Sequence, residues 1–227
     1  CDGFFDQAIT MNFEFSEEQQ MLREQARGFL TEHCSTSVVR AVLDSNEDWD
    51  AGLWKKVADM GWTATVIPEA YGGLGLSYYE LAILAEEMGR SAAPLPFSSS
   101  LYLASEAIRH FGNESQKSEW LPKLASGECV ATVAMAERAG RLVLDQLQTR
   151  RTDSQITGHK VPVADASVAD VAVVLARSDQ GLEACLVPLK QEGVVISPVL
   201  TFDTSRGHSA ITFDRADAQA LGNAPLD

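Results

Sequence analysis

The apolar residues of this 227-residue chain change their spacing near Gly127. Before it they recur every three or four positions; after it they form short β-branched runs bounded by Gly, Asp or Pro. A period of 3.6 buries one stripe of a helix and a period of 2 buries one face of a strand, so the two halves need different architectures. The predicted fold class is α+β: an N-terminal all-α helical domain over 11–128, then an antiparallel β-barrel or sandwich domain over 129–227. Residues 1–10 precede Met11 and are read as a leader or an expression remnant.

In the first half, Ser16-Glu17-Glu18-Gln19 has the form of a capping box and opens a helix expected over 16–33. A shorter helix is expected near 37–43, and Leu53, Trp54, Val57 and Met60 mark another that stops at Gly61. Leu81, Leu84, Ala85 and Met88 mark a further helix, ended by Gly89. Phe97, Leu101, Ala104, Ile108 and Phe111 continue the helical spacing, and Asn113 caps a last helix through Leu124. In the second half, strands are expected over 130–136, 154–163, 168–176, 182–189, 194–197 and 209–213.

Composition excludes several classes. The chain is 45% apolar and 22% charged, enough to bury a core, and its 32 acidic against 18 basic residues give −14, so a surface built to hold nucleic acid is not expected. No apolar run reaches the roughly 20 residues needed to cross a bilayer. Cys1, Cys34, Cys129 and Cys185, like the four histidines, lack the spacing of a metal or redox motif, so no metal site is expected and a reducing cytoplasm is the expected compartment.

Three segments carry possible chemistry. Tyr71-Gly72-Gly73-Leu74-Gly75 is glycine-rich but lacks the spacing and strand–turn–helix setting of a phosphate loop, so a tight turn is expected. Glu137 follows an apolar strand where a carboxylate can serve as a base, against the plainer reading of a solvated strand-end residue. Arg138, Arg141, Arg150 and Arg151 could draw an acidic ligand, but pairing with the plentiful surface acids is the favoured reading.

The order of pieces resembles the acyl-CoA dehydrogenase family. The matching residues are Phe15-Ser16-Glu17-Glu18-Gln19, Leu53-Trp54 leading to Gly61, Pro68-Glu69 with Tyr71-Gly72-Gly73-Leu74-Gly75, and Glu86-Glu87-Met88-Gly89-Arg90. Gly112-Asn113, Trp120-Leu121-Pro122, Leu124-Ala125-Ser126-Gly127-Glu128, Ile156-Thr157-Gly158-His159-Lys160 and Arg206 before Ile211-Thr212-Phe213-Asp214 extend the match. The resemblance implies a helical domain and a middle β domain. It also implies FAD as cofactor, an acyl-CoA substrate and homo- or hetero-oligomers of family members.

The resemblance also assigns residues. FAD would lie against Ala134, Ala136, Val163 and Ala164, and the acyl chain against Ser99, Ser100 and Leu103. Where the family offers hydroxyls toward the flavin, this chain has Ala136 and Ala164, and Pro162 replaces an aromatic residue. Each lost hydroxyl removes about 0.5–1.5 kcal/mol of hydrogen bonding. The family's catalytic glutamate belongs to a C-terminal helical domain that would begin near Asp227, so no catalytic base is expected within the chain, and weak or absent flavin binding with no dehydrogenation is expected of it alone. Three functions follow: the α–β part of a flavin-dependent acyl-CoA dehydrogenase whose base lies in a further domain or partner chain; a non-catalytic subunit beside an active paralogue; or another flavoenzyme of this fold, an oxidase or monooxygenase.

Overall fold

The computed structural model describes residues 14–45, 47–203 and 205–222. The leader read at 1–10 lies outside the described residues. Helix α1 (Glu17–His33) begins with the expected capping box: Gln19 N–H donates to Ser16 Oγ at 3.2 Å, and Ser16 N–H donates to Gln19 Oε1 at 3.0 Å. Helix α2 (Thr36–Leu43) follows, then α3 (Ala51–Asp59), whose first turn donates from Leu53 N–H to Asp50 Oδ1 at 2.8 Å. Helix α4 (Tyr78–Arg90) also opens on a capping box, from Ser77 and Glu80. Gly89 does not end it; the helix runs to Arg90 and the chain reverses at Ala92, which takes φ 47°.

The next segment departs from the expected α-helical pattern. Residues Ser98–Ala104 form a π-helical stretch that runs into α5 (Ser105–Phe111). Neighbouring Ser99 and Ser100 are both buried and both bond to groups of the sheet, a constraint that periodicity cannot register. Helix α6 (Glu114–Ala125), boxed by Asn113 and Gln116, completes the helical part. The glycine-rich segment is the expected tight turn: the N–H groups of Gly72 through Leu76 bond to carbonyls of the preceding chain, leaving none for a phosphate. Gly73 is required there, because a Cβ would lie 1.8 Å from Ile67 O.

The β half is one curled sheet rather than a sandwich, and it is mixed rather than antiparallel. Its strands are β1 (Ala131–Ala134), β2 (Arg150–Thr152), β3 (Gln155–Ala164), β4 (Val171–Ser178), β5 (Gly181–Pro188), β6 (Val194–Pro198), β7 (His208–Asp217) and β8 (Gln219–Ala220). The order is β6-β7-β3-β2-β4-β5-β8, with β1 also on β4. Both β1 and β2 run parallel to β4, pairing with Val171–Val174 and with Arg177 respectively. They occupy successive stretches of one strand position, interrupted by the loop that joins them. Alternation has the same period in either direction, so it could not reveal the parallel pairs.

Two clusters of buried side chains hold the halves together. One joins Leu30, Trp54, Leu84 and Leu101 to Val130, Ala134, Val163 and Phe213; the other joins Ile67, Ile108, Leu121 and Leu124 to Ala131, Val171 and Leu186. Truncating one such Leu or Ile to Ala removes about 2–5 kcal/mol. At the turn between the halves, Trp54 Nε1 donates to Gly127 O at 2.9 Å. Gly127 has φ 70°, and a Cβ there would sit 2.6 Å from that of Ala58.

Candidate functional site

Strand β1 enters the core as Ala131, Thr132 and Ala134, all buried, and then emerges: Met135 is 41% exposed and Ala136 half-buried. Beside it runs β3. Thr132 Oγ1 donates to Ala164 O at 2.6 Å, and Val161 N–H donates to Ala136 O at 2.8 Å. The structure thus brings Ala134, Ala136, Val163 and Ala164 onto neighbouring strands. Ala134 and Val163 point into the core, so any ligand contact they make is through the backbone; Ala136 and Ala164 are half-buried. The Ala136 N–H meets no acceptor among the described residues. A half-buried donor left open in this way suits the acceptor edge of a heterocyclic ring, which fits a flavin at this place.

Glu137 is not the solvated strand-end residue expected. Its Oε2 accepts from Gln148 N–H and its Oε1 from Thr149 N–H, each at 2.7 Å, and Lys160 Nζ lies 3.1 Å from Oε1. Burial pushes its carboxyl up, but these donors prevail and hold it at about 2. Lys160 is fully buried, with burial pulling its ammonium down and Glu137 opposing. Sequence reasoning missed this pair. The available signal was register: Ile156, Gly158 and Lys160 alternate along β3, and a lysine in step with a core isoleucine must find an acid.

The loop after Glu137 borders an open pocket of about 470 Å3, lined by Ala136, Glu137, Arg138, Arg141, Leu142 and Gln148 among others. Arg138 Nη2 donates to Gln146 Oε1 at 2.8 Å. Arg150 pairs with the exposed Asp179, as the surface-acid reading expects, whereas Arg151 pairs with Glu183, which is buried.

At the seam with the helices, Ser99 Oγ donates to Asp165 Oδ2, and Arg206 Nε donates to the same oxygen at 3.1 Å. Ser100 Oγ accepts from Ala131 N–H at 3.2 Å. Both hydroxyls are therefore engaged in docking the π-helical stretch on the sheet, whereas the Leu103 side chain is 49% exposed. Next to this docking point lies a cleft of about 230 Å3, with Met88, Leu95, Phe97, Tyr102, Asp165 and Arg206 among its walls. Burial raises the Tyr102 phenol well above its ordinary value, with Arg206 opposing. An apolar hollow of about 240 Å3 continues past Tyr102 between Leu81, Ala82 and Ala85. Tyr102, Asp165 and this part of Arg206's role were not singled out by the sequence; a one-residue shift along the helix separates Tyr102 from Leu103.

Among the described residues no helix is long and apolar enough to cross a membrane, and no group of three or more His, Cys, Asp and Glu is arranged to hold a metal ion.

Comparison with known proteins gives a consistent picture. The family model for the acyl-CoA dehydrogenase N-terminal domain matches residues 16–128. Mitochondrial isovaleryl-CoA dehydrogenase of Pongo abelii is 33% identical over 171 residues, covering 72% of this chain and 40% of that protein. The chain thus spans less than half the length of that relative. Among solved structures, the ChsE4-ChsE5 complex from Mycobacterium tuberculosis superimposes with a TM-score of 0.84 at 25% identity, over 94% of this chain and 59% of that one. An acyl-CoA dehydrogenase complexed with FAD from Bacillus anthracis gives 0.83 at 25% identity, over 92% and 38%.

Proposed function

The chain belongs to the acyl-CoA dehydrogenase family, and on that footing we propose that it forms the helical and β parts of a flavin-dependent enzyme that dehydrogenates an acyl-CoA thioester. When bound, the flavin supplies the acceptor for the departing hydride. Ala136 and Ala164 would hold it through backbone N–H groups, without the hydroxyls that family members offer. The observation that carries this reading is the half-buried Ala136 N–H without an acceptor at the end of β1. The acyl chain would lie along the seam between Ser98–Ala104 and the sheet, with Ser99 and Ser100 keeping the seam in shape and Leu103 bordering the chain.

Removing a thioester α-proton needs a carboxylate within hydrogen-bond reach. Glu137 is a poor candidate: both oxygens are occupied and its carboxyl is held at about 2. The family resemblance instead assigns the base to a further domain or a partner chain. A second reading, a non-catalytic subunit paired with an active paralogue, draws support from alanine at both hydroxyl positions, 136 and 164, and from the two-component ChsE4-ChsE5 complex.

The test is to purify the chain, record flavin absorbance, and assay reduction of an artificial electron acceptor with acyl-CoAs of several lengths. The assay is repeated with a downstream helical segment or a co-encoded homologue added. Turnover only after addition is expected; a glutamate of the added segment that proves essential supports the first reading, and one that lies in a homologue with its own flavin supports the second. Steady turnover by the chain alone would overturn the assignment of the base.

A further inference from the structure

Lys160 is the largest fully buried side chain of the sheet, and its ammonium touches two groups of the emerging end of β1: Met135 O at 2.9 Å and Glu137 Oε1 at 3.1 Å. Glu137 in turn is anchored by the N–H groups of Gln148 and Thr149, so one ion pair ties the end of β1 to β3 and to the approach to β2. Leaving such an ammonium unpaired would cost several kcal/mol, so the arrangement is strongly imposed on the backbone around it. The Met135–Ala136 peptide is trans, and in a trans peptide the C=O and N–H point in opposite directions. With the Met135 carbonyl drawn inward to Lys160, the Ala136 N–H must face outward, where it meets no acceptor among the described residues.

We infer that Lys160 and Glu137 are positioning residues, whose ion pair aims the Ala136 N–H as a hydrogen-bond donor at the acceptor edge of a ring ligand seated at the end of β1. The identity of that ligand as a flavin rests on the function proposed above; the aiming of the N–H does not. Neither side chain touches the ligand. The device replaces, by orientation of a main-chain donor, part of what the alanine at 136 removes.

The test uses the full chain, labelled with 15N, with Lys160→Met, Lys160→Arg and Glu137→Gln variants and FAD as the probe. In the ligand-free wild type the Ala136 amide should exchange freely with solvent, and its resonance should move when FAD is added. In Lys160→Met the resonances of β4 and β5 should stay in place while that of Ala136 is displaced and no longer responds to FAD. FAD affinity should fall about tenfold or more, and the potential of the bound flavin should become more negative, because a donor to the reduced ring is lost. Lys160→Arg should recover part of both. If Lys160→Met does not fold, Glu137→Gln carries the same readouts. Protection of the Ala136 amide in the ligand-free wild type, or unchanged affinity and potential in the folded variants, would overturn the inference. Should the wild type alone bind no FAD, the flavin reading is tested with the added helical segment or homologue, and the ligand-free amide decides the aiming role: displacement of Ala136 alone by Lys160→Met supports it, and no displacement overturns it.

Discussion

Two carboxylates, one in each half of the molecule, are held at about 2, yet their surroundings differ. Glu87, on α4, is fully buried; Arg27, the strongest influence, donates to both its oxygens, and Arg90 adds a further contact while burial opposes. It ties α1 to α4 with guanidinium groups and no backbone. Glu137 has one lysine and two main-chain N–H groups, and it stands at the emerging end of a strand beside an open donor. A depressed carboxyl therefore does not by itself mark a functional place. What distinguishes the two is what they hold still: two helices in one case, the direction of a single peptide in the other.

The contrast can be broken at either carboxylate. Glu137→Gln keeps one acceptor but leaves the fully buried Lys160 ammonium without its carboxylate, so the larger loss, about 3–5 kcal/mol, is expected there, together with an altered response of Ala136 to FAD. Replacing Glu87 by Leu removes the carboxylate shared by Arg27 and Arg90, whose side chains are each about half exposed, and a loss of about 1.5–3 kcal/mol is expected in chemical denaturation; a loss below 1 kcal/mol would show that the arginines relax fully into water. Equal losses at the two sites would erase the difference drawn between them.

Gly127→Ala tests the junction instead of either half. With φ 70° and Ala58 2.6 Å from the new Cβ, about 1–3 kcal/mol should be lost; a neutral result would mean that α3 shifts freely against the turn.

Acid titration sharpens the comparison further. Both carboxyls are depressed from the ordinary 4.5 to about 2. Their stabilisation is then complete above about 4.5 and is lost as the pH falls through about 2. The full shift at Glu87 corresponds to about 3 kcal/mol at most. Glu87→Gln and Glu137→Gln should each flatten the fall in stability over that window.

The smallest effect on stability is expected at Leu103. Its side chain is half exposed, so Leu103→Trp should change stability by no more than about 0.5 kcal/mol. In an enzyme completed by the catalytic part, it should shift preference toward shorter acyl-CoAs; unchanged kinetics across chain lengths would remove Leu103 from the proposed acyl border.

Local chemistry fixed much of this in advance. The capping residues Ser16, Asn113 and Gln116 act within one helical turn, so the starts of α1 and α6 were legible, as were six strands and the break at Gly127. The short β2 and β8 were not: three and two residues cannot establish a period, and each exists because a neighbouring strand offers its edge. The four flavin-facing candidates could be named from resemblance, but not which of them point inward.

Sequence alone thus determined the class of each half, the places where helices begin, and the family, because these depend on spacing along the chain. Tertiary structure decided the parallel pairing of β1 and β2 with β4, the π-helical turn at Ser99 and Ser100, and the burial of Lys160 against Glu137. Each of these joins residues more than twenty positions apart, and no local pattern carries the energy of a contact that exists only once the chain has closed on itself.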